Sequence, residues 1–153
     1  MFQRILCATD FSETAEAAWA AARELARTHR SELILLHVFT ELPVYPDVAV
    51  LEVQRVWEEQ RAWVERTLAE RVAAATSHGL AARWVLKTGM APESIVEAAS
   101  EARADLIVIG THGRTGLTRL VIGSVAERVV RLAPCPVLTL KPLVVSEAER
   151  AAA

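Results

Sequence analysis

The chain has 153 residues, which is the length of one ordinary domain and leaves no room for a second core of usual size. Hydrophobic residues make up 52% of it, so a buried core can form without disulfides or metal. Seventeen Lys and Arg against nineteen Asp and Glu give a net charge of −2, which supplies no field to attract nucleic acid or an acidic membrane surface. We therefore expect no nucleic-acid partner and no membrane partner.

The number of cysteines and the lengths of the apolar runs indicate the cellular compartment of the protein. Cys7 and Cys135 are too few for a disulfide scaffold or a zinc ribbon, which favours a reducing environment. The first apolar run is too short for a signal segment, and no later window reaches the roughly 18 apolar residues of a membrane span. These features predict a cytoplasmic protein with one domain over residues 1–142 and a loosely ordered tail over 143–153.

The predicted elements alternate between strand and helix along the whole chain. The run 32–38 is continuously apolar, as in a strand covered on both faces of a parallel sheet, and small residues repeat at helical spacing from Ala18 to Ala26. The predicted strands are 4–9, 32–38, 80–87, 105–110 and 136–140, and the predicted helices are 13–30, 51–77, about 91–103 and 123–132. Right-handed crossovers between such units give an α/β fold, an open doubly wound parallel sheet with helices on both faces.

The strongest functional signal follows the fourth predicted strand, because ligands of open parallel sheets lie beyond the carboxyl ends of the strands. The segment 110–116 reads GTHGRTG, and Gly123-Ser124 opens the next helix. Glycines allow backbone N–H groups to approach phosphate oxygens, and a helix start adds free amides and a positive dipole end. The segment is neither a Walker A loop nor a GxGxxG motif. A glycine turn that only reverses the chain is the alternative, and Arg114 and Arg119 favour phosphate.

Written as G-x2-G-x9-G-S, the positions Gly110, Gly113 and Gly123-Ser124 resemble the ATP-binding signature of the universal stress protein family. The segment 5–12, ILCATDFS, resembles the opening strand and loop of that family, and 133–138 resembles its closing strand. The resemblance covers nearly the whole chain. It implies an adenine nucleotide alpha hydrolase-like sheet of five strands in the order 3-2-1-4-5. That order would separate Cys7 from Cys135 by too much for a disulfide.

The resemblance also implies a ligand, ATP accompanied by Mg²⁺ or Mn²⁺, and a set of site residues. It assigns Asp10 to the ribose hydroxyls or to a water on the metal ion, and this makes Asp10 the one candidate metal ligand. The implied nucleotide-binding residues are Ala8, Thr9 and Asp10 near the adenosine, Val38 at the adenine edge, Ile109 and Gly110 beneath the ribose, and His112, Gly113, Arg114, Gly123, Ser124, Val125 and Ala126 around the phosphates.

Three functions fit these residues. The first is a nucleotide-dependent regulatory protein that retains ATP. The second is an enzyme that slowly hydrolyses ATP or phosphorylates Ser124, for which the loop offers only His112 as a base. The third is an interaction module whose loop receives a partner peptide. We favour binding over turnover, and we expect His37, at the end of a buried run, to be a core or rim histidine with a satisfied ring.

The fifth strand predicts a homodimer. Its residues Val137, Leu138, Thr139 and Leu140 are mostly apolar and end the sheet, which leaves backbone groups that an identical strand could pair across a two-fold axis. The family resemblance implies the same assembly. Pro136, Lys141 and Pro142, which bracket the strand, would instead blunt a monomeric edge. Light scattering at micromolar concentration should give twice the chain mass, and a mass near 16.7 kDa would contradict the dimer.

Overall fold

The structure is a computed structural model that describes residues 1–40, 50–111 and 123–141. Within these ranges strands and helices alternate, as the sequence predicts. In chain order the elements are β1 Arg4–Ala8, α1 Glu13–His29, β2 Glu32–Phe39, α2 Val50–Ser77, β3 Ala82–Thr88, α3 Ala91–Glu101, β4 Leu106–Gly110, α4 Ser124–Leu132 and β5 Val137–Leu140. Two predicted segments, most of the glycine loop and the tail over 143–153, lie outside the described residues, as do residues 41–49.

The strands form one parallel sheet in the order β3-β2-β1-β4-β5, which confirms the expected fold class. The central strand β1 pairs with β2 on one side and with β4 on the other. Because each crossover returns through a helix, both faces of the sheet are covered. Helices α1 and α2 pack on one face, and α3 and α4 pack on the other.

Alternate residues of β1 face the two layers. Ile5 and Cys7 point into the layer of α1 and α2, whereas Leu6 points into the layer of α3 and α4, and all three side chains are fully buried. The small residues of α1 allow its backbone to approach the sheet closely, as predicted. Ala18, Ala22 and Ala26 are completely inaccessible to solvent. Strand β1 is thus enclosed on all sides except at its two ends.

Element boundaries differ from the prediction where backbone hydrogen bonds are diverted. Strand β3 begins at Ala82 and not at Leu80, because the Leu80 N–H donates to the Ala75 carbonyl at 3.2 Å and so completes the end of α2. Gly79, with φ +82°, makes the turn between the two elements. Ser12 caps α1, and its hydroxyl oxygen accepts a hydrogen bond from the Ala15 N–H, which confirms the predicted helix start.

Within residues 1–40, 50–111 and 123–141, no helix has both the length and the apolar character needed to cross a lipid bilayer. The described helices are amphipathic elements of the two layers. Leu68 and Val64 show this for α2, the longest of them, since both are buried against the sheet.

Both cysteines are free thiols, and β4 separates β1 from β5, as the strand order predicts. The pKa of the Cys7 thiol is raised to about 12, mainly by burial and also by the nearby Glu16 carboxylate, while the Arg71 guanidinium partly opposes both. Burial also raises the pKa of the Cys135 thiol, with a smaller contribution from the Asp105 carboxylate. The thiolate is the reactive form, so neither residue is activated as a nucleophile.

Cys7 should therefore resist thiol reagents in the native protein. In a Cys135→Ser variant at pH 8, we expect no reaction with a water-soluble disulfide reagent until denaturant is added, and then one thiol per chain. In the wild type, half-buried Cys135 should react slowly and alone. A native thiol signal from Cys135→Ser would contradict the enclosure of β1.

Candidate functional site

A cavity of about 230 Å³ lies where β1, β2 and β4 end side by side. The three carboxyl ends are level, because Ala8 pairs with Leu36 on one side and with Ile109 on the other. The first turn of α4 closes the cavity opposite the sheet. The lining includes these residues that the sequence analysis assigned to nucleotide binding: Ala8, Thr9, Asp10, Val38, Ile109, Gly110, Gly123, Ser124, Val125 and Ala126. The remaining candidates, His112, Gly113 and Arg114, lie outside the described residues.

The loop after β1 holds Asp10 by short-range hydrogen bonds. The Ser12 N–H and the Ser12 hydroxyl both donate to Asp10 Oδ1, at 3.0 and 2.5 Å. The Phe11 N–H donates to Thr9 Oγ1 at 3.0 Å, which fixes the same turn from its other side. No group in the described part of the chain donates to Asp10 Oδ2. The carboxylate is therefore oriented at the cavity wall with one oxygen available to a ligand.

Gly110 ends β4 against the first turn of α1. A Cβ atom at this position would lie 3.0 Å from both the carbonyl carbon and the Cβ of Thr14, closer than van der Waals contact allows. The sequence analysis attributed the glycines to close approach of backbone and phosphate. For Gly110 the structure gives a different reason, which is the close approach of β4 to α1 beneath the cavity floor.

The N-terminus of helix α4 lines the cavity, and no side chain of the described residues caps it. Its N-cap residue, Gly123, provides no side chain, and the first intrahelical bond runs from the Glu127 N–H to the Gly123 carbonyl at 2.9 Å. The N–H groups of 124–126 therefore precede the helical ladder. The Gly123 N–H donates to the Thr111 carbonyl, and the Thr111 N–H and hydroxyl donate to the Leu140 carbonyl. These bonds tie the start of α4 to the ends of β4 and β5.

His37 lines the cavity, although the sequence analysis did not include it among the site residues. Its ring Nδ1 lies 2.8 Å from the Thr9 carbonyl oxygen, and its ring stacks on Phe11 with centroids 4.8 Å apart. The expectation of a satisfied rim histidine is correct. The sequence reasoning also missed lining residues that carry no motif: Ala15, Leu36, Ala91, Ile95 and Thr111. For His37, its place next to Val38 at a strand end was an available signal.

The described residues of the cavity offer a metal ion one carboxylate, so most ligands of such an ion would have to be phosphate oxygens and water. Among the described residues, no cluster of three or more His, Cys, Asp or Glu side chains could hold a metal ion. Asp10 is a single carboxylate at the cavity wall. Mg²⁺ is commonly bound through one or two carboxylates together with substrate phosphates and waters. The site is consistent with a metal ion that arrives with a phosphate ligand.

Comparison with known proteins identifies the family. The model of the universal stress protein family matches residues 1–141. A universal stress protein of Thermus aquaticus is 34% identical over 92% of this chain and 100% of its own length. The chain therefore belongs to the universal stress protein family.

Solved structures agree with the fold and give one indication of a ligand. The structure of the Methanocaldococcus jannaschii protein MJ0577 has a TM-score of 0.81 and is 30% identical, over 92% of this chain and 96% of that one. The universal stress protein of Archaeoglobus fulgidus in complex with dAMP has a TM-score of 0.61 and is 25% identical, over 92% of this chain and 98% of that one.

Replacement of Gly110 by alanine should destabilise the protein. The added methyl group meets backbone atoms of Thr14 and not a flexible side chain, so we expect a loss of about 1–3 kcal/mol in the free energy of unfolding. The matched control is Gly79→Ala, where nothing lies within 4 Å and only the positive φ opposes the change. Urea unfolding measures both. An unfolding free energy of Gly110→Ala equal to that of the wild type would contradict the close approach.

Proposed function

We propose that this protein is a nucleotide-dependent regulatory protein of the stress response that binds an adenine nucleotide, ATP with Mg²⁺ or Mn²⁺, in the cavity. The observation that carries the proposal is that two groups of backbone polar atoms face each other across the cavity; we call them the sheet rim and the helix rim. The carboxyl ends of β1, β2 and β4 form the sheet rim, and the first turn of α4 forms the helix rim. A nucleotide has the same division, with a base and sugar at one end and phosphates at the other.

The sheet rim suits the base and the sugar. Ala8, Leu36 and Ile109 give an apolar wall of the kind on which a purine packs. Val38 contributes backbone polar groups beside this wall, and Asp10 offers Oδ2 to ribose hydroxyls or to a water on Mg²⁺. Small-molecule cavities usually measure ~300–1,000 Å³. The 230 Å³ enclosed by the described residues would therefore hold part of a nucleotide and leave the phosphates toward α4.

The helix rim suits the phosphates. The N–H groups of 124–126, which precede the helical ladder, and the positive end of the dipole favour an anion at the start of α4, and the exposed Ser124 hydroxyl adds a donor. The proposal extends to His112, Gly113 and Arg114 on the resemblance of their sequence to the family signature. Support for an adenine nucleotide also comes from the Archaeoglobus fulgidus relative, whose structure is a complex with dAMP.

A homodimer through β5 remains part of the proposal. Strand β5 is at the edge of the sheet, and Leu138 on it is 38% exposed. Val130 and Leu132 at the end of α4 are about half exposed as well. These apolar side chains beside an open strand edge support association through Val137–Leu140.

The substitution Ser124→Asp tests whether the start of α4 binds phosphate or has only a structural role. A carboxylate in the first turn of a helix interacts favourably with the dipole, so the ligand-free protein should be unchanged or stabilised by about 0.3–1 kcal/mol. The same charge would repel a phosphate bound there. At ATP near 100 times its dissociation constant, the wild type should gain roughly 2.7 kcal/mol in stability, and the variant should lose most of this gain.

The matched control is Ser124→Asn, which has nearly the shape of Asp and no charge. It should keep most of the ATP-dependent gain in denaturant unfolding with MgATP. An undiminished gain in Ser124→Asp would overturn the assignment of phosphates to α4. Analysis of the same samples for ADP and for phosphorylated protein tests the alternative of slow hydrolysis or phosphorylation of Ser124.

A further inference from the structure

The hydrogen-bond ladder between β1 and β2 stops at the cavity. Its last rung is the bond from the Thr9 N–H to the Leu36 carbonyl at 2.8 Å, and the paired register ends at Ala8 and Leu36. In a parallel ladder, the next donor to the Thr9 carbonyl would be the N–H of Val38. That bond is not formed, and the register therefore does not extend to a pair of Thr9 and His37.

The backbone of Val38 is directed to the β1 side of β2. Successive residues of a strand direct their backbone groups to opposite neighbours, and in β2 the Glu32 N–H donates to Gln3 in front of β1. The next residue, Leu33, donates to Ala81 in front of β3. Even-numbered residues of β2 therefore face β1, and Val38 is the last of them. Its N–H and C=O point past the end of the ladder to the cavity that it lines.

The imidazole of His37 takes the acceptor that Val38 would otherwise use. Its Nδ1 lies 2.8 Å from the Thr9 carbonyl oxygen. A carbonyl oxygen can only accept, so Nδ1 carries the proton and donates it. The side chain of one residue has thus replaced the backbone donor of the next.

An aromatic group holds the imidazole in this position. Phe11 stacks on it with an interplanar angle of 25°, and Phe11 itself is bracketed by the Trp63 ring at 5.2 Å and by the Arg71 guanidinium at 4.9 Å. Phe11 has a positive φ of 63°, a costly conformation for an aromatic residue, which the bond from its N–H to Thr9 Oγ1 helps to maintain. The ring of His37 is therefore fixed from its face as well as from its edge.

We propose that His37 is a positioning residue for base recognition. Its imidazole ends the ladder one rung early, so that the Val38 N–H and C=O hydrogen bond the edge of adenine, the N–H to N1 and the C=O to the 6-amino group. The inference rests on the proposed function, since it names what reads the base at that site. Without the imidazole donor, the Val38 N–H would close onto the Thr9 carbonyl and be lost to the ligand.

Amide exchange in the ligand-free protein tests the ladder directly. By NMR, the Val38 amide should exchange rapidly in the wild type and at least tenfold more slowly in His37→Ala, where it bonds to Thr9. The control His37→Asn places an amide nitrogen close to the position of Nδ1 and should restore rapid exchange. A Val38 amide that exchanges equally in wild type and His37→Ala would overturn the inference.

Nucleotide selectivity tests the consequence for the ligand. The probes are AMP and 1-deaza-AMP, which has a C–H in place of the N1 acceptor. The wild type and His37→Asn should prefer AMP by about five- to tenfold, the value of one hydrogen bond, and His37→Ala should lose this preference. If His37 only stabilised the fold, both affinities would fall together and their ratio would not change. That unchanged ratio would overturn the positioning role.

The two proposals can fail separately. If the wild type binds neither AMP nor ATP, the proposed function is wrong, and the early end of the ladder is then decided by the Val38 exchange rates alone. If AMP binds and the selectivity ratio is insensitive to His37, the nucleotide site stands and the role of His37 is wrong. Urea unfolding of each variant shows that the proteins compared are folded.

Discussion

The end of the central strand is the constraint on which the site depends. β1 has a strand on each side and helices on both faces, so its side chains from Ile5 to Ala8 are apolar and buried, and its backbone groups are paired within the sheet. Polar groups can be offered to a ligand only where this pairing stops. It stops at Thr9, and Asp10 follows at once. The cavity therefore lies at the carboxyl end of β1, where the backbone of the central strand leaves its pairing with the neighbouring strands.

Two glycines line the cavity, each at the end of an element. Gly110 lets β4 end against the first turn of α1, and Gly123 begins α4 without a side chain over its free amides. Thr111 joins these two points, since its carbonyl accepts from Gly123 while its own N–H and hydroxyl donate to Leu140. Three elements far apart in sequence are thus fixed by a few backbone bonds. At Gly110 the absence of a side chain is required by the packing of β4 against α1.

The fold could be predicted because its signals are local or periodic. Continuous apolar runs indicated buried parallel strands, and small residues at helical spacing indicated a helix in close contact with the sheet. The strand order came from the family resemblance. What escaped prediction depends on partners distant in sequence. Leu80 looked like a strand residue until its N–H was seen to bond Ala75, and Thr9 looked like part of β1 because nothing in its neighbourhood reveals that His37 takes its carbonyl.

The residues of the cavity wall are far apart in sequence, and this determines how a ligand affects the stability of the protein. The cavity wall is assembled from Ala8, Leu36, Ile109 and Gly123, which belong to four separate parts of the chain. An unfolded chain does not bring these residues together, so a ligand that contacts them binds the native state alone and stabilises the fold by an amount set by the ratio of its concentration to its dissociation constant. The free energy of unfolding, measured with and without the ligand, therefore reports on binding. A ligand held by the strand ends and by α4 would also link the sheet to the helix that precedes its edge strand β5.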